Sequence, residues 1–133
     1  MKIKILFVVT LFVTITTFTN CKHRGCTSIL SCNYDEDAEK DDGSCIYKGK
    51  ATFWHKTGSG YGVIIVLVEG IAGEGYLMSP VPSTPLCGAA GCQTNNLCPG
   101  TYNYNASEES PGTKTWNGSF TVTENGCLTI QLQ

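Results

Sequence analysis

Hydrophobic patterning divides the chain into three regimes. Ile5 to Phe18 is an apolar run interrupted only by threonines, no aliphatic core residue occurs between Tyr34 and Cys45, and beyond Tyr47 β-branched and aromatic residues recur between closely spaced glycine, proline and asparagine turn signals. The third regime reads as strands, because period-two alternation places successive side chains on opposite sheet faces and no helix-period pattern competes with it. Candidate strands are Lys50 to His55, Tyr61 to Glu69, Gly75 to Ser79, Cys92 to Leu97, Thr101 to Ser107, Thr115 to Thr123 and Cys127 to Gln133. Phe120 and Val122 alternate with threonines, as do Leu128, Ile130 and Leu132 with Thr129 and Gln131, and Asn125-Gly126 between them predicts a hairpin with a type I′ turn. Val63 to Val68 is apolar on both faces and is expected to be the central, doubly covered strand. The fold class that follows is all-β: a small, disulfide-stapled antiparallel β-sandwich over residues 47–133, preceded by a short Cys-rich acidic segment at 21–46 and a signal peptide at 1–20.

The first regime has the anatomy of a secretory leader, with Lys2 and Lys4 ahead of the apolar run. At about 14 residues the run falls short of the roughly 20 that span a bilayer. The protein is therefore expected to be exported. Cys21 stands directly after the leader and before Lys22, His23 and Arg24, with Phe18-Thr19-Asn20 in front of it. This arrangement resembles the lipobox of bacterial lipoproteins, although Phe18-Thr19-Asn20 departs from its usual residues. The resemblance implies a diacylated Cys21 that holds the protein on a membrane face of the cell envelope. Ordinary cleavage after Thr19, giving a soluble secreted protein, is the alternative.

Charge sharpens the second regime. Lys2 and Lys4 are two of nine basic residues, so the chain from position 21 has seven against eleven acidic ones, or −4. Asp35, Glu36, Asp37, Glu39, Asp41 and Asp42, offset by Lys40, account for −5 of it. The rest is near neutral and offers no basic face, which excludes nucleic acid as a partner. A segment so poor in apolar residues cannot fold by burial; cross-links, a cation or a neighbour must order it.

Eight cysteines in a short exported chain read as a disulfide framework. With Cys21 acylated, seven remain: Cys26, Cys32 and Cys45 in the acidic segment, and Cys87, Cys92, Cys98 and Cys127 beyond it. An odd count leaves one thiol free or paired between molecules, whereas all eight can pair if Cys21 is not acylated. Two bridges within the β domain are expected. The acidic segment cannot close on itself, because three cysteines leave one over. Its odd cysteine pairs with Cys21, with the β domain, with another molecule or with nothing.

The pattern Gly25-Cys26, Cys32-Asn33-Tyr34, then Asp41-Asp42-Gly43-Ser44-Cys45 resembles a short repeat of secreted and surface proteins of Gram-negative bacteria, and more loosely the calcium-binding repeats of thrombospondin. The resemblance implies an extracellular spacer or adhesion-type module. Calcium would be the cofactor, with Asp35, Asp37, Asp41 and Asp42 as oxygen donors. The spacing is not an EF-hand, since Lys40 stands where the loop needs glycine. A solvated acidic loop held by Cys26 and Cys45 is the competing reading. Leu97-Cys98-Pro99-Gly100-Thr101-Tyr102-Asn103-Tyr104, with Trp116 to Val122, resembles the later strands of prealbumin-like sandwiches such as carboxypeptidase regulatory and PEGA domains, which implies an accessory or binding module.

No catalytic constellation emerges. His55 is the only imidazole of the β domain, no aspartate follows Asp42, and the carboxylate pairs read as solvated, Glu69 and Glu74 flanking Gly70-Ile71-Ala72-Gly73 and Glu108 with Glu109 in a polar loop. The chain is accordingly read as non-enzymatic, with an interaction or structural role at the cell surface and an unidentified protein or glycan as partner. Trp54, Tyr102 and Tyr104 are candidate ligand-binding rings: the tyrosines share a strand face, and such rings stack on sugars or anchor protein interfaces. Filling the core is their alternative use.

Overall fold

The computed structural model of the chain describes residues 22–73, 75–77, 79–109 and 114–133. The leader and Cys21 lie outside these residues, as does Glu74. The described residues are all-β and carry three disulfides, a disulfide-stapled sandwich. Two short strands, β1 (Arg24–Gly25) and β2 (Lys40–Asp41), pair in parallel within the acidic segment. Seven strands follow: β3 (Gly49–His55), β4 (Ile64–Val68), β5 (Gly75–Leu77), β6 (Gln93–Leu97), β7 (Gly100–Glu108), β8 (Thr115–Val122) and β9 (Cys127–Leu132). They form a three-stranded sheet in the order β6-β3-β9 and a four-stranded sheet in the order β5-β4-β7-β8.

All seven expected strands are present, and their alternation sets the core. Ala51 and Phe53 of β3, Leu97 of β6 and Leu132 of β9 face Ile64, Val66 and Val68 of β4, with Leu77, Ala106, Phe120 and Val122 completing the buried cluster. Tyr102 and Tyr104 of β7 turn the same way. Phe53 meets the Tyr104 ring at 5.0 Å and the Phe120 ring at 5.5 Å, both edge-on, and Tyr102 stacks on Phe120 at 5.7 Å. Edge and offset contacts of this kind add about 0.5–1.5 kcal/mol each beyond the area they bury.

The strand pairing and the covered strand both differ from what the antiparallel sandwich was expected to show. The Asn125-Gly126 turn does not close a hairpin: β8 belongs to the four-stranded sheet, while β9 crosses to the other sheet and pairs in parallel with β3, Lys50 opposite Cys127 through His55 opposite Leu132. The alternation of β8 and β9 is the same for a hairpin as for an arch between layers, so periodicity alone does not separate them. Asn125 still takes the special backbone geometry expected of it, with φ at 52°. The doubly covered strand is β3 and not Val63 to Val68. Leu67 of β4 is 45% exposed, whereas Thr52 and Trp54, on the outer face of β3, are 0% and 4% exposed.

That outer face is closed by the loop between β5 and β6. Gly88 N donates to Thr52 Oγ1 at 3.3 Å and to Thr94 Oγ1 at 3.2 Å, the two threonines are themselves 2.8 Å apart across the β3–β6 ladder, and Cys87 is bridged to Cys127 on β9. A cystine loop thus supplies the second cover that sequence apolarity assigned to β4. Gly49 begins β3 against the end of β8, where a Cβ would collide with the Thr123 carbonyl and sit 2.7 Å from Val122 Cγ1. Because backbone cannot rotate away as a side-chain tip does, Gly49→Ala is expected to cost about 1–3 kcal/mol. A urea midpoint unchanged from that of the parent protein would contradict this packing.

Candidate functional site

The junction between the acidic segment and the sandwich is the most constrained part of the surface. Cys26 pairs with Cys45 inside the segment, and Cys32 pairs with Cys98 at the β6–β7 turn, 66 residues away. The odd cysteine of the segment is therefore spent on the β domain. Within that domain only Cys87–Cys127 forms, in place of the two internal bridges expected, and Cys92 carries no disulfide. Cys92 stands half-buried beside β6, and burial pushes its thiol pKa up. A raised pKa favours the protonated, less reactive form.

Polar side chains then lace the segment together. Asn33 Nδ2 donates to the Ser44 carbonyl at 2.6 Å and its Oδ1 accepts from Ile46 N at 2.8 Å, while Cys32 N reaches the Ile46 carbonyl at 2.7 Å. Asp35 is a second knot. Its Oδ1 accepts from Asp37 N at 3.0 Å, its Oδ2 lies 2.8 Å from His23 Nε2, and its own N donates to the Cys26 carbonyl at 2.9 Å. Gly25 makes room for this carboxylate, since a Cβ there would stand 2.6 Å from Asp35 Oδ2. Asp41 and Asp42 close consecutive turns onto Gly43 N and Ser44 N, each at 2.9 Å, and Gly43 adopts φ of 78°.

These bonds say what three of the four candidate calcium donors, Asp35, Asp37, Asp41 and Asp42, do. Asp35, Asp41 and Asp42 each point a carboxylate oxygen at backbone N–H groups of their own loop. Among the described residues, no three His, Cys, Asp or Glu side chains converge into a metal-binding group. The hydrogen bonds to His23 and Asp37 hold Asp35 below the usual carboxylate pKa range, and those to Ser44 do the same for Asp42. A last bond, from Tyr47 N to Glu124 Oε1 at 2.8 Å, ties the segment's exit to the β8–β9 turn.

The candidate aromatic residues are placed by the same alternation. Trp54 is buried on the outer face of β3, and Tyr102 and Tyr104 pack toward the core, with the Tyr102 hydroxyl donating to the Cys98 carbonyl at 2.9 Å. None of the three forms an open platform. His55 is 1% exposed; its Nδ1 lies 3.0 Å from Ser59 Oγ and its Nε2 has no hydrogen-bond partner. Burial lowers the His55 pKa, so the ring is neutral at physiological pH.

The face of the four-stranded sheet turned away from the core was not singled out by sequence reasoning. Along β7 and β8 every outward residue is exposed and is Thr, Asn or Ser. Cross-strand partners include Asn105 with Asn117, Asn103 with Ser119, and Thr101 with Thr121. An open depression of about 490 Å³ lies over the middle of this array, bordered by Glu69, Asn103, Asn105, Asn117 and Ser119 and floored by Tyr104 and Gly118. Asn103 Nδ2 donates to Glu69 Oε2 at 2.8 Å and fixes that carboxylate at the rim. On the adjoining strands Leu67 and Tyr76 are 45% and 43% exposed. The available signal was the placement of Asn103 and Asn105 two apart, out of phase with Tyr102 and Tyr104.

No protein family, curated protein or solved structure matches the chain.

Two groups of residues set the acid response. Below about pH 6.5 the unfolded chain's imidazole takes up a proton that buried His55 refuses. Stability is full above that pH and declines as pH falls toward the lowered native value. Asp35 and Asp42 act similarly from their ordinary value of 3.8 downward, their contribution being lost as pH drops through their lowered native pKa values. Thermal melts from pH 7.5 to 2.5 are expected to show both declines, and His55→Gln to abolish only the first. A pH 6.5-to-5 decline of equal size in parent and variant would contradict the His55 assignment.

Proposed function

We propose that the protein is an exported cell-envelope protein, held on a membrane by acyl chains on Cys21, with a non-catalytic interaction or structural role at the cell surface. The observation that carries this reading is the disulfide set. Three bridges form without drawing on Cys21, which stands directly behind a leader-like segment. Disulfides in a chain of this size belong to oxidising compartments outside the cytosol.

The junction also suits a surface role. Among the described residues the first strand begins at Arg24, three residues after Cys21, and the segment carrying it is bridged to the sandwich. The anchor would therefore lead into a stapled domain with little slack, which sets the domain's standing relative to the membrane. His55 supports the non-catalytic reading: the β domain's one imidazole is enclosed, neutral and bonded to Ser59 on the adjacent turn.

Intact-mass measurement of the membrane fraction tests the anchor. The expected species begins at Cys21 and carries acyl increments, and Cys21→Ser moves the protein to the soluble fraction. A membrane-free species beginning at Asn20 with no acyl increment would overturn the reading.

A further inference from the structure

The outward face of β7 and β8 has a composition that the needs of folding do not explain. Asparagine is among the residues depleted from strands, because its amide competes for backbone hydrogen bonds and its side chain packs poorly on a pleated surface. Here Asn103, Asn105 and Asn117 nevertheless occupy adjacent outward positions on paired strands, around one depression. Solubility does not account for them either. A solvated sheet face ordinarily carries charge, and the outward positions of β7 and β8 carry none.

The chemistry of the array defines what it fits. Each amide offers both donor and acceptor, and Ser119 offers a hydroxyl, so the face matches groups that are donor and acceptor at once. Same-face positions along a strand repeat about every 6.8 Å and neighbouring strands lie about 4.8 Å apart, a grid suited to hydroxyls distributed around sugar rings. The depression is bordered by one carboxylate, Glu69, already oriented by Asn103, and by no cation, which disfavours anionic ligands. A protein interface ordinarily centres on apolar or aromatic anchors. In this face the amides occupy β7 and β8, one half of the sheet, and the exposed apolar groups, Leu67 and Tyr76, lie beside them on β4 and β5, where the C–H face of a sugar would pack.

We infer that the outer face of the four-stranded sheet is a binding surface for neutral glycans, with Asn103, Asn105, Asn117 and Glu69 making the polar contacts and Leu67 and Tyr76 the apolar ones. The inference rests on the surface-interaction role proposed above and names its ligand class. It relocates recognition from buried Trp54 and from the half-buried rings of Tyr102 and Tyr104, which turn toward the core, to the outward positions of β7 and β8.

The test is binding of the full-length protein, purified in detergent, to an array printed with neutral, sulfated and uronic oligosaccharides. Retention confined to neutral glycans is expected. The double variant Asn105→Thr/Asn117→Thr is expected to lower affinity for those glycans at least tenfold while its melting temperature stays level or rises, because threonine is the better strand former. Retention of no glycan, retention of anionic glycans alone, or undiminished binding by the double variant would each overturn the inference. Fractionation reads the anchor separately. An acylated protein that binds no glycan sinks this inference and leaves the envelope role standing, and an unacylated protein that binds neutral glycans does the reverse.

Discussion

A segment that buries almost no apolar surface keeps a shape only if something other than burial restrains it, and between Lys22 and Ile46 that restraint is covalent. The Cys32–Cys98 bridge joins the acidic segment to the turn between β6 and β7, and the Cys26–Cys45 bridge closes the segment around it. A cross-link spanning 66 residues removes a large share of the unfolded chain's freedom, worth about 4 kcal/mol by loop-closure entropy. With both ends pinned, weak local bonds become sufficient. Asn33 reaches Ser44 and Ile46, and Asp35 reaches Asp37 and His23, because the bridges have already removed the alternatives.

The same device recurs in the sandwich. Cys87–Cys127 holds the loop that reaches Thr52 through Gly88, and both Thr52 and Trp54 on the outer face of β3 are buried, which makes β3 a strand with two dry faces despite its mixed sequence. A domain of this size has little interior to spend. The structure uses cystine where a larger protein would add a further layer. The consequence for function is that the four-stranded sheet keeps an uncovered face, and that face carries the amide array.

Much of this was legible in the sequence, and the illegible parts have physical causes. Strand positions from β3 to β9 follow from period-two alternation and turn residues. Sheet assignment does not, because Leu128, Ile130 and Leu132 face the core equally well whether β9 pairs with β8 or with β3. Counting cysteines established that the acidic segment cannot pair all three of its own, but pairing depends on spatial proximity and Cys98 has no local mark. The aspartates invited a cation because charge is visible in sequence. Their bonds to backbone N–H groups depend on loop geometry and are not. Tyr102 and Tyr104 drew attention as a possible binding face, while the asparagines between and beside them, on the opposite face, held the less usual composition.

The coupling of segment to sandwich depends most on Cys32 reaching Cys98. Peptide mapping of the unreduced protein, with free thiols alkylated first, reads this directly. It should yield Cys26 linked to Cys45, Cys32 to Cys98 and Cys87 to Cys127, with the alkyl group on Cys92. Finding Cys32 linked within the acidic segment, or Cys98 linked to Cys92, would uncouple segment from sandwich and contradict the account.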